Sequence, residues 1–340
     1  DNIVYFFFTH AILYNQNQFV SINMNMAFVE IKSLTPVRQV EIRLGNFCNF
    51  DCSFCDDNFK SGSRRALDID SYKRTIDNLM EDNSIPTLFI IQGGEPTLYP
   101  KIEEFLSHIK SRGGYTQMFS NGSRTLRWWE EFLPLKLLDR LIISHHPEQN
   151  ADPSHTATIL NMAKSFLDEV SCSVTIAKNE FIKSYEHFQT IRASTSDNIA
   201  VIMVPVIMPD AYDFHNGTYS NEELSIIKNN NKKFTLEQSG YVTQTFFKAW
   251  GVDAHGISYP RFGNQMQQLQ ENKFNGWECD AGIYRLVIET DEALRGMCRV
   301  GGVVGRVSDN TVRFLTTPIT CNVEDCYCGA DVIIPKRKPS

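Results

Sequence analysis

No apolar run in this sequence is long enough to cross a bilayer. The patch near its start, Ile3 to Phe8, is far shorter than the roughly 20 residues a spanning helix needs, and no basic segment precedes it as in a secretory signal. Basic stripes are missing too, and a formal net charge of −7 at pH 7 argues against a general nucleic-acid-binding surface. Internal repeats and low-complexity tracts are lacking, which removes solenoids and scaffolding linkers from consideration. Cysteine, by contrast, is plentiful. Nine cysteines in a chain without a secretory signal point to a reducing compartment, the cytoplasm by default, where thiols serve metal binding or catalysis rather than bridges.

Three of those cysteines, Cys48, Cys52 and Cys55, fall within eight residues just after the apolar run Val40 to Leu44. An odd set so close together is a poor disulfide framework, and soft thiolates select zinc or iron–sulfur clusters. Three thiolates leave one metal position open, which usually means chemistry.

The 340 residues suffice for one large domain, or one with an appendage. From about residue 37, β-branched runs alternate with helix-period segments, the pattern of βα units around a parallel sheet. Strands are expected at Val40–Leu44, Leu88–Gln92, Tyr115–Ser120, Arg140–Ser144, Ser173–Ile176 and Ile199–Ile207. Helical stripes run through Tyr72, Ile76, Leu79 and Met80, through Ile102, Phe105, Leu106 and Ile109, and through Ile159, Met162, Ala163, Phe166 and Val170. That makes roughly six units before Pro209, fewer than the eight that close a barrel. Ligands of such sheets gather at the carboxyl ends of the strands, and the cysteine loop sits there.

These residues resemble the radical S-adenosylmethionine (radical SAM) superfamily, whose hallmark is Cys-x3-Cys-x2-Cys after the first strand of a partial (β/α)6 TIM-like barrel. The resemblance implies that Cys48, Cys52 and Cys55 hold a [4Fe-4S] cluster whose open iron chelates S-adenosylmethionine, and that one electron cleaves the sulfonium to a 5′-deoxyadenosyl radical that abstracts a substrate hydrogen. Gly93, Gly94, Glu95 and Pro96 look like the family's GGEP motif, with glycines letting the backbone approach a ligand and a carboxylate meeting the methionyl ammonium. Ser120, Asn121 and Gly122 resemble the stretch that contacts ribose and carboxylate. Ser144 occupies another cofactor-contacting position, and Phe54 the aromatic slot beside the adenine. His145 and His146 read as satisfied loop histidines, and Cys172 as a buried core thiol.

Cys279, Cys298, Cys321, Cys326 and Cys328 form a second set. Cys279 and Cys298 flank a hairpin, Tyr284 to Thr290 turning at Asp291 and Glu292, which resembles the twitch or SPASM-type extension that carries a second, auxiliary [4Fe-4S] cluster; zinc closing a small β-rich appendage is the alternative. A further strand is expected within Arg299–Val307, followed by a basic tail, Lys336 to Lys338.

The expected organisation is an N-terminal extension over 1–36, the α/β partial barrel over 37–209, a linker and capping segment over 210–276, and a small β-hairpin-rich auxiliary-cluster domain over 277–340. The extension either precedes a natural start at Met24 or Met26 or adds a strand or helix over the barrel. The expected activity is that of an oxidoreductase or radical-modifying enzyme on a small substrate such as a sugar, nucleoside or amino-acid derivative, with flavodoxin or ferredoxin as electron donor and no membrane partner. Too few residues precede the first strand for a leader-binding domain, which places a ribosomal peptide second. A non-catalytic zinc or redox protein is the alternative from another class. Arg43, Arg64, Arg65, Trp250, His255, Tyr259, Arg261 and Trp277 are candidate substrate contacts.

Overall fold

In the computed structural model, residues 27–55, 68–206, 219–231 and 240–339 are described. The elements that build the larger sheet are β2 (Arg38–Arg43), α1 (Ile69–Leu79), β3 (Thr87–Gln92), α2 (Ile102–Ser111), β4 (Tyr115–Ser120), α3 (Leu126–Phe132), β5 (Arg140–His145), α4 (Pro153–Lys164), β6 (Glu169–Ile176), α5 (Phe181–Ser194), β7 (Ala200–Pro205) and α6 (Asn221–Asn231). Strands β2 to β7 are parallel neighbours in chain order. Val40, Ile42, Phe89, Ile91, Met118, Leu141, Ile143, Val170 and Cys172 point one way, into a core shared with the helices. Sequential strands with their helices on one face have the order of a (β/α) barrel, not of a doubly wound sheet.

The helix ends follow local chemistry. Asp68, Thr125 and Asp152 each accept a backbone N–H of the helix they precede, and Pro153 opens α4, where its missing N–H costs nothing. The third helical stripe runs two positions too far: α4 ends at Lys164, Phe166 lies half-exposed in the turn, and Val170 belongs to β6. Strand β6 also begins four residues before its expected start. Its first residue, Glu169, is a buried acid that pairs with Arg140 at 3.4 Å and accepts from Thr243.

The opposite face of the sheet is covered by a second, six-stranded sheet in the order β14-β10-β15-β1-β8-β9. Its strands are β1 (Phe28–Lys32), β8 (Lys248–Asp253), β9 (Ser258–Phe262), β10 (Glu278–Cys279), β14 (Ile319–Thr320) and β15 (Lys336–Arg337). Phe28, Ile31, Phe246 and Phe262 pack here against Leu88, Ile90, Phe119 and Ile142. The segment expected to be a linker with capping helices therefore contributes a strand pair, β8 and β9, beside the short helices α7 (Tyr241–Phe246) and α8 (Gly263–Gln268). Two breakers hide it. Gly251 sits in mid-strand because a Cβ there would meet the Phe28 ring at 2.4 Å, and Pro260 is tolerated because β9 is an edge.

Both sheets cross the expected boundary at residue 277. Strand β11 (Arg285–Glu289) pairs in parallel with β2, and β12 (Glu292–Leu294) and β13 (Val303–Arg306) extend the larger sheet from it. The hairpin turning at Asp291 and Glu292 is present, but it continues the main sheet rather than forming an appendage. Strand β15, expected as a basic tail, pairs with both β1 and β10, so the N-terminal segment is knitted to the C-terminal one.

The Phe28–Gly251 contact yields a stability test. Gly251→Ala is expected to cost about 1–3 kcal/mol in urea unfolding, the usual range for overpacking, and combining it with Phe28→Leu should recover part of that loss. Additive losses would show that the close approach is not the constraint.

Candidate functional site

The cysteine loop leaves β2 and is pinned at once to the loop after β3. Gly94 N–H donates to Gly45 O at 3.0 Å, and Glu95 N–H to Phe47 O at 2.8 Å. Both glycines are required by this backbone-to-backbone contact. Gly93 has φ +106°, and a Cβ at Gly94 would lie 1.9 Å from Phe47 O. In this structure what approaches them is the root of the cysteine loop.

Glu95 is 4% exposed and caps the turn Pro96–Leu98. Its Oε1 accepts from Thr97 N at 3.0 Å and from Ser120 Oγ at 2.8 Å, and its Oε2 accepts from Asn121 N at 2.6 Å. Burial pushes this carboxyl above the usual range, those hydrogen bonds oppose the shift, and its charge is felt at Cys48. Among the described residues no cation is in contact with it.

Asn121 reaches back to the cysteine loop, donating from Nδ2 to Asn49 Oδ1 at 2.9 Å, with Cys48 Sγ at 3.9 Å. Phe50 N–H also points at Cys48 Sγ, at 3.4 Å. Cys52 and Cys55 are joined by a turn, Cys55 N–H to Cys52 O at 3.0 Å. On its far side the loop is held by the segment after β5: Asp51 N–H donates to Gln149 Oε1 at 3.0 Å, and Ser53 N–H to Glu148 Oε1 at 3.1 Å.

His146 is the residue that sequence reasoning set aside and the geometry brings in. Its ring stacks on Phe54 at 5.7 Å, meets Phe50 edge-on at 5.8 Å, and places Nδ1 3.6 Å from Cys52 Sγ. Burial pulls its pKa down to about 4, so the imidazole is neutral near pH 7. His145 faces the helices, bonded to Thr156 and His187. Ser144 lies on the opposite, inward side of β5, and its buried Oγ has no hydrogen-bond partner among the described residues. Asn49, Glu148 and Gln149 were missed; the only signal for them was their place beside a strand end.

The second thiol set lies around β10, β14 and the last short helix. Cys279 on β10 lies beside β14, and Cys321 N–H donates to Trp277 O at 2.7 Å. Cys298 N–H donates to Asp331 Oδ2 at 3.3 Å, and Cys328 precedes the short helix α9 (Gly329–Val332). Electrostatic influence links Cys279 with Cys321 and Cys298, and Cys326 with Cys298 and Cys328. Burial pushes the Cys298 and Cys328 thiols up to about 12. Cys279, Cys321 and Cys326 share one apolar cluster, whereas Cys328 packs against Val287, Leu294 and Met297. Cys172 is buried in β6. Among the described residues no three His, Cys, Asp or Glu side chains converge on a point as ligands of a single ion do.

The expected substrate contacts are not gathered at this site. Arg43 is at the carboxyl end of β2, but its guanidinium pairs with Glu41 at 3.1 Å and Glu289 at 3.2 Å. Arg261 is held by Glu271 at 2.6 Å, Trp277 packs on Phe274, Tyr259 bonds Asp253, and Trp250 lies beside Lys248. His255 is exposed in the β8–β9 turn, and Arg64 and Arg65 lie outside the described residues.

Residues 42–146 match the family model described as the Radical SAM superfamily, so this stretch is similar to a radical SAM domain. A 7-carboxy-7-deazaguanine synthase from Haemophilus influenzae is 34% identical over 92 residues, 27% of this chain and 40% of the relative. A probable GTP 3′,8-cyclase from Pyrobaculum aerophilum is 28% identical over 173 residues, 50% of this chain and 52% of the relative. The chain thus spans about half the length or less of these curated relatives. The solved structure of native anSMEcpe with bound AdoMet and Kp18Cys peptide shares the fold, with TM-score 0.51, 14% identity, and coverage of 81% of this chain and 79% of that one. Streptococcus suis SuiB bound to precursor peptide SuiA matches with TM-score 0.50, 15% identity, and coverage of 79% and 61%.

Gly94→Ala tests the cradle. The added methyl should force the Glu95 loop off the cysteine loop and weaken S-adenosylmethionine binding at least about tenfold, roughly 1.4 kcal/mol, by titration calorimetry under anaerobic conditions. Unchanged affinity would show that the two loops act independently.

Proposed function

We propose that the chain is a radical SAM enzyme that binds a [4Fe-4S] cluster through Cys48, Cys52 and Cys55 and generates a radical from S-adenosylmethionine to abstract hydrogen from a small-molecule substrate. The observation that carries this reading is the joining of the cysteine loop and the Gly93–Pro96 loop into one cradle, with Asn121 donating its backbone N–H to the Glu95 carboxyl and turning its side-chain amide toward Cys48 Sγ.

The residues present fit the group. N–H donors at Phe50 and Asn121 face Cys48 Sγ, as suits a thiolate, and three thiols leave one metal position for an external chelate. When bound, the cluster supplies the electron that cleaves the sulfonium of S-adenosylmethionine. Burial raises the pKa of the Glu95 carboxyl, and an ammonium group beside it would favour the ionised form. Ser144 offers an unspent hydroxyl to the adenosyl side, and His146 holds Phe54 and the Cys52 thiol in place as a neutral ring.

Four of Cys279, Cys298, Cys321, Cys326 and Cys328 are the proposed ligands of a second cluster, with zinc as the alternative metal; Cys279, Cys321 and Cys326 share one apolar cluster, and the charges of Cys298 and Cys328 both reach Cys326. A peptide substrate is the second reading, favoured by the shared fold with peptide-bound solved structures over about four fifths of this chain.

Anaerobically reconstituted protein should hold about eight irons per chain, the content of two cubanes. Replacing Cys48, Cys52 and Cys55 together by Ala should halve the iron and abolish 5′-deoxyadenosine formation; persistence of that product would refute the assignment. Cys321→Ala should lose about half the iron while retaining some unproductive cleavage.

A further inference from the structure

The carboxyl end of β5 delivers an imidazole to the middle of the cysteine loop. Along β5 the side chains of Leu141 and Ile143 join the core shared with the helices, and His145 continues on that face, its Nδ1 2.8 Å from Thr156 Oγ1 and its Nε2 2.8 Å from His187 Nδ1. Strand alternation turns His146 the other way, toward the cysteine loop, where it is buried. The turn after it, Pro147–Gln149, closes on its carbonyl through Gln149 N–H at 3.0 Å, and the side chains of Glu148 and Gln149 grip Ser53 and Asp51 of the same loop. The backbone of His146 is thus held on both sides, and its ring is held as well. Phe50 and Phe54 lie two residues before and two after Cys52, and His146 meets both, edge-on at 80° with the first and nearly parallel at 17° with the second. That wedge aims Nδ1 at Cys52 Sγ, 3.6 Å away and within hydrogen-bond reach of sulfur.

A cysteine that ligates a metal does so as a thiolate, which accepts hydrogen bonds and cannot donate one. The ring nitrogen facing it must then carry the hydrogen, and an imidazole can donate from Nδ1 in its neutral or its protonated form. We propose that His146 is a positioning residue of the cysteine loop, whose Nδ1–H donates to the Cys52 sulfur and thereby raises the reduction potential of the [4Fe-4S] centre held by Cys48, Cys52 and Cys55. A hydrogen bond to a ligand sulfur favours the more negative, reduced state. Cys48 is faced by Phe50 N–H from within the loop and by the Asn121 amide from after β4, whereas Cys52 is faced by an imidazole from β5, so segments beyond the cysteine motif share in setting the centre. This inference deepens the radical SAM reading above and rests on it.

The full chain, reconstituted anaerobically, gives the midpoint potential by redox titration with electron paramagnetic resonance, read on the reduced-state signal that S-adenosylmethionine perturbs. His146→Phe keeps an aromatic ring against Phe54 and removes the N–H. It should shift the equilibrium toward the oxidised form about threefold, a midpoint lower by roughly 28 mV for one electron. His146→Asn places an amide N–H near the position of Nδ1 and should stay near the parent. A Phe variant with the parent's midpoint would overturn the proposal. Loss of iron from the Phe variant with retention in the Asn variant would support it, because the Phe variant keeps the ring and lacks the donor. A shift, or a loss of iron, as large in the Asn variant as in the Phe variant would overturn it in favour of a packing role. A parent that binds no iron, or shows no signal that S-adenosylmethionine perturbs, overturns the radical SAM reading itself, a result obtained before any His146 variant is compared.

Discussion

Arg285 ties the thiol-bearing C-terminal segment to the first strand of the parallel sheet. Its guanidinium, 1% exposed, binds Glu41 of β2 at 2.6 Å and Asp331 of α9 at 2.7 Å. Asp331 in turn receives the N–H of Cys298 on its second oxygen. The charges continue with alternating sign along the inward faces of β2 and β11, from Arg299 through Glu289, Arg43 and Glu41 to Arg285 and Asp331. Removing one partner of such a buried pair costs about 3–5 kcal/mol, because the other is left uncompensated. The C-terminal thiols are therefore held in register with the strand that launches Cys48, although more than two hundred residues separate them in the chain.

This arrangement explains which parts of the fold were legible beforehand. Strands β3, β4 and β5 announce themselves as apolar, β-branched runs because the helix-covered face needs them, and the cysteine spacing stands out because few other chemistries use it. Strand β11 was also legible, but not its partner: nothing local in Arg285–Glu289 says that it lies beside β2. The charged residues that make the pairing favourable read singly as surface, and only the fold brings Glu41 to Arg285. Strands β8 and β9 escaped for a related reason. Gly251 and Pro260 look like turn residues until Phe28 and the sheet edge account for them.

Of the candidate site, the residues whose spacing carries chemistry were found, and those that merely hold them were not. Asn49, Glu148 and Gln149 act through backbone N–H groups or neighbouring amides of the cysteine loop, a role that leaves no residue-type signature. Arginines were expected as substrate clamps, yet Arg43 and Arg261 are consumed by carboxylates. A guanidinium that is 12% exposed or less with a bidentate partner has little capacity left for a ligand.

The two thiol groups differ most in what balances their charge. The charge of Glu95 is felt at Cys48, and this acid has no cationic contact among the described residues. In the proposed reaction the ammonium group of S-adenosylmethionine would supply one. Around the C-terminal thiols the cations are already present as Lys336 and Arg285. The two thiol sets thus differ in their surroundings as well as in their place: a buried acid without a cationic contact among the described residues stands by the first, while by the second Arg285 is held by Glu41 and Asp331 and Lys336 by backbone carbonyls.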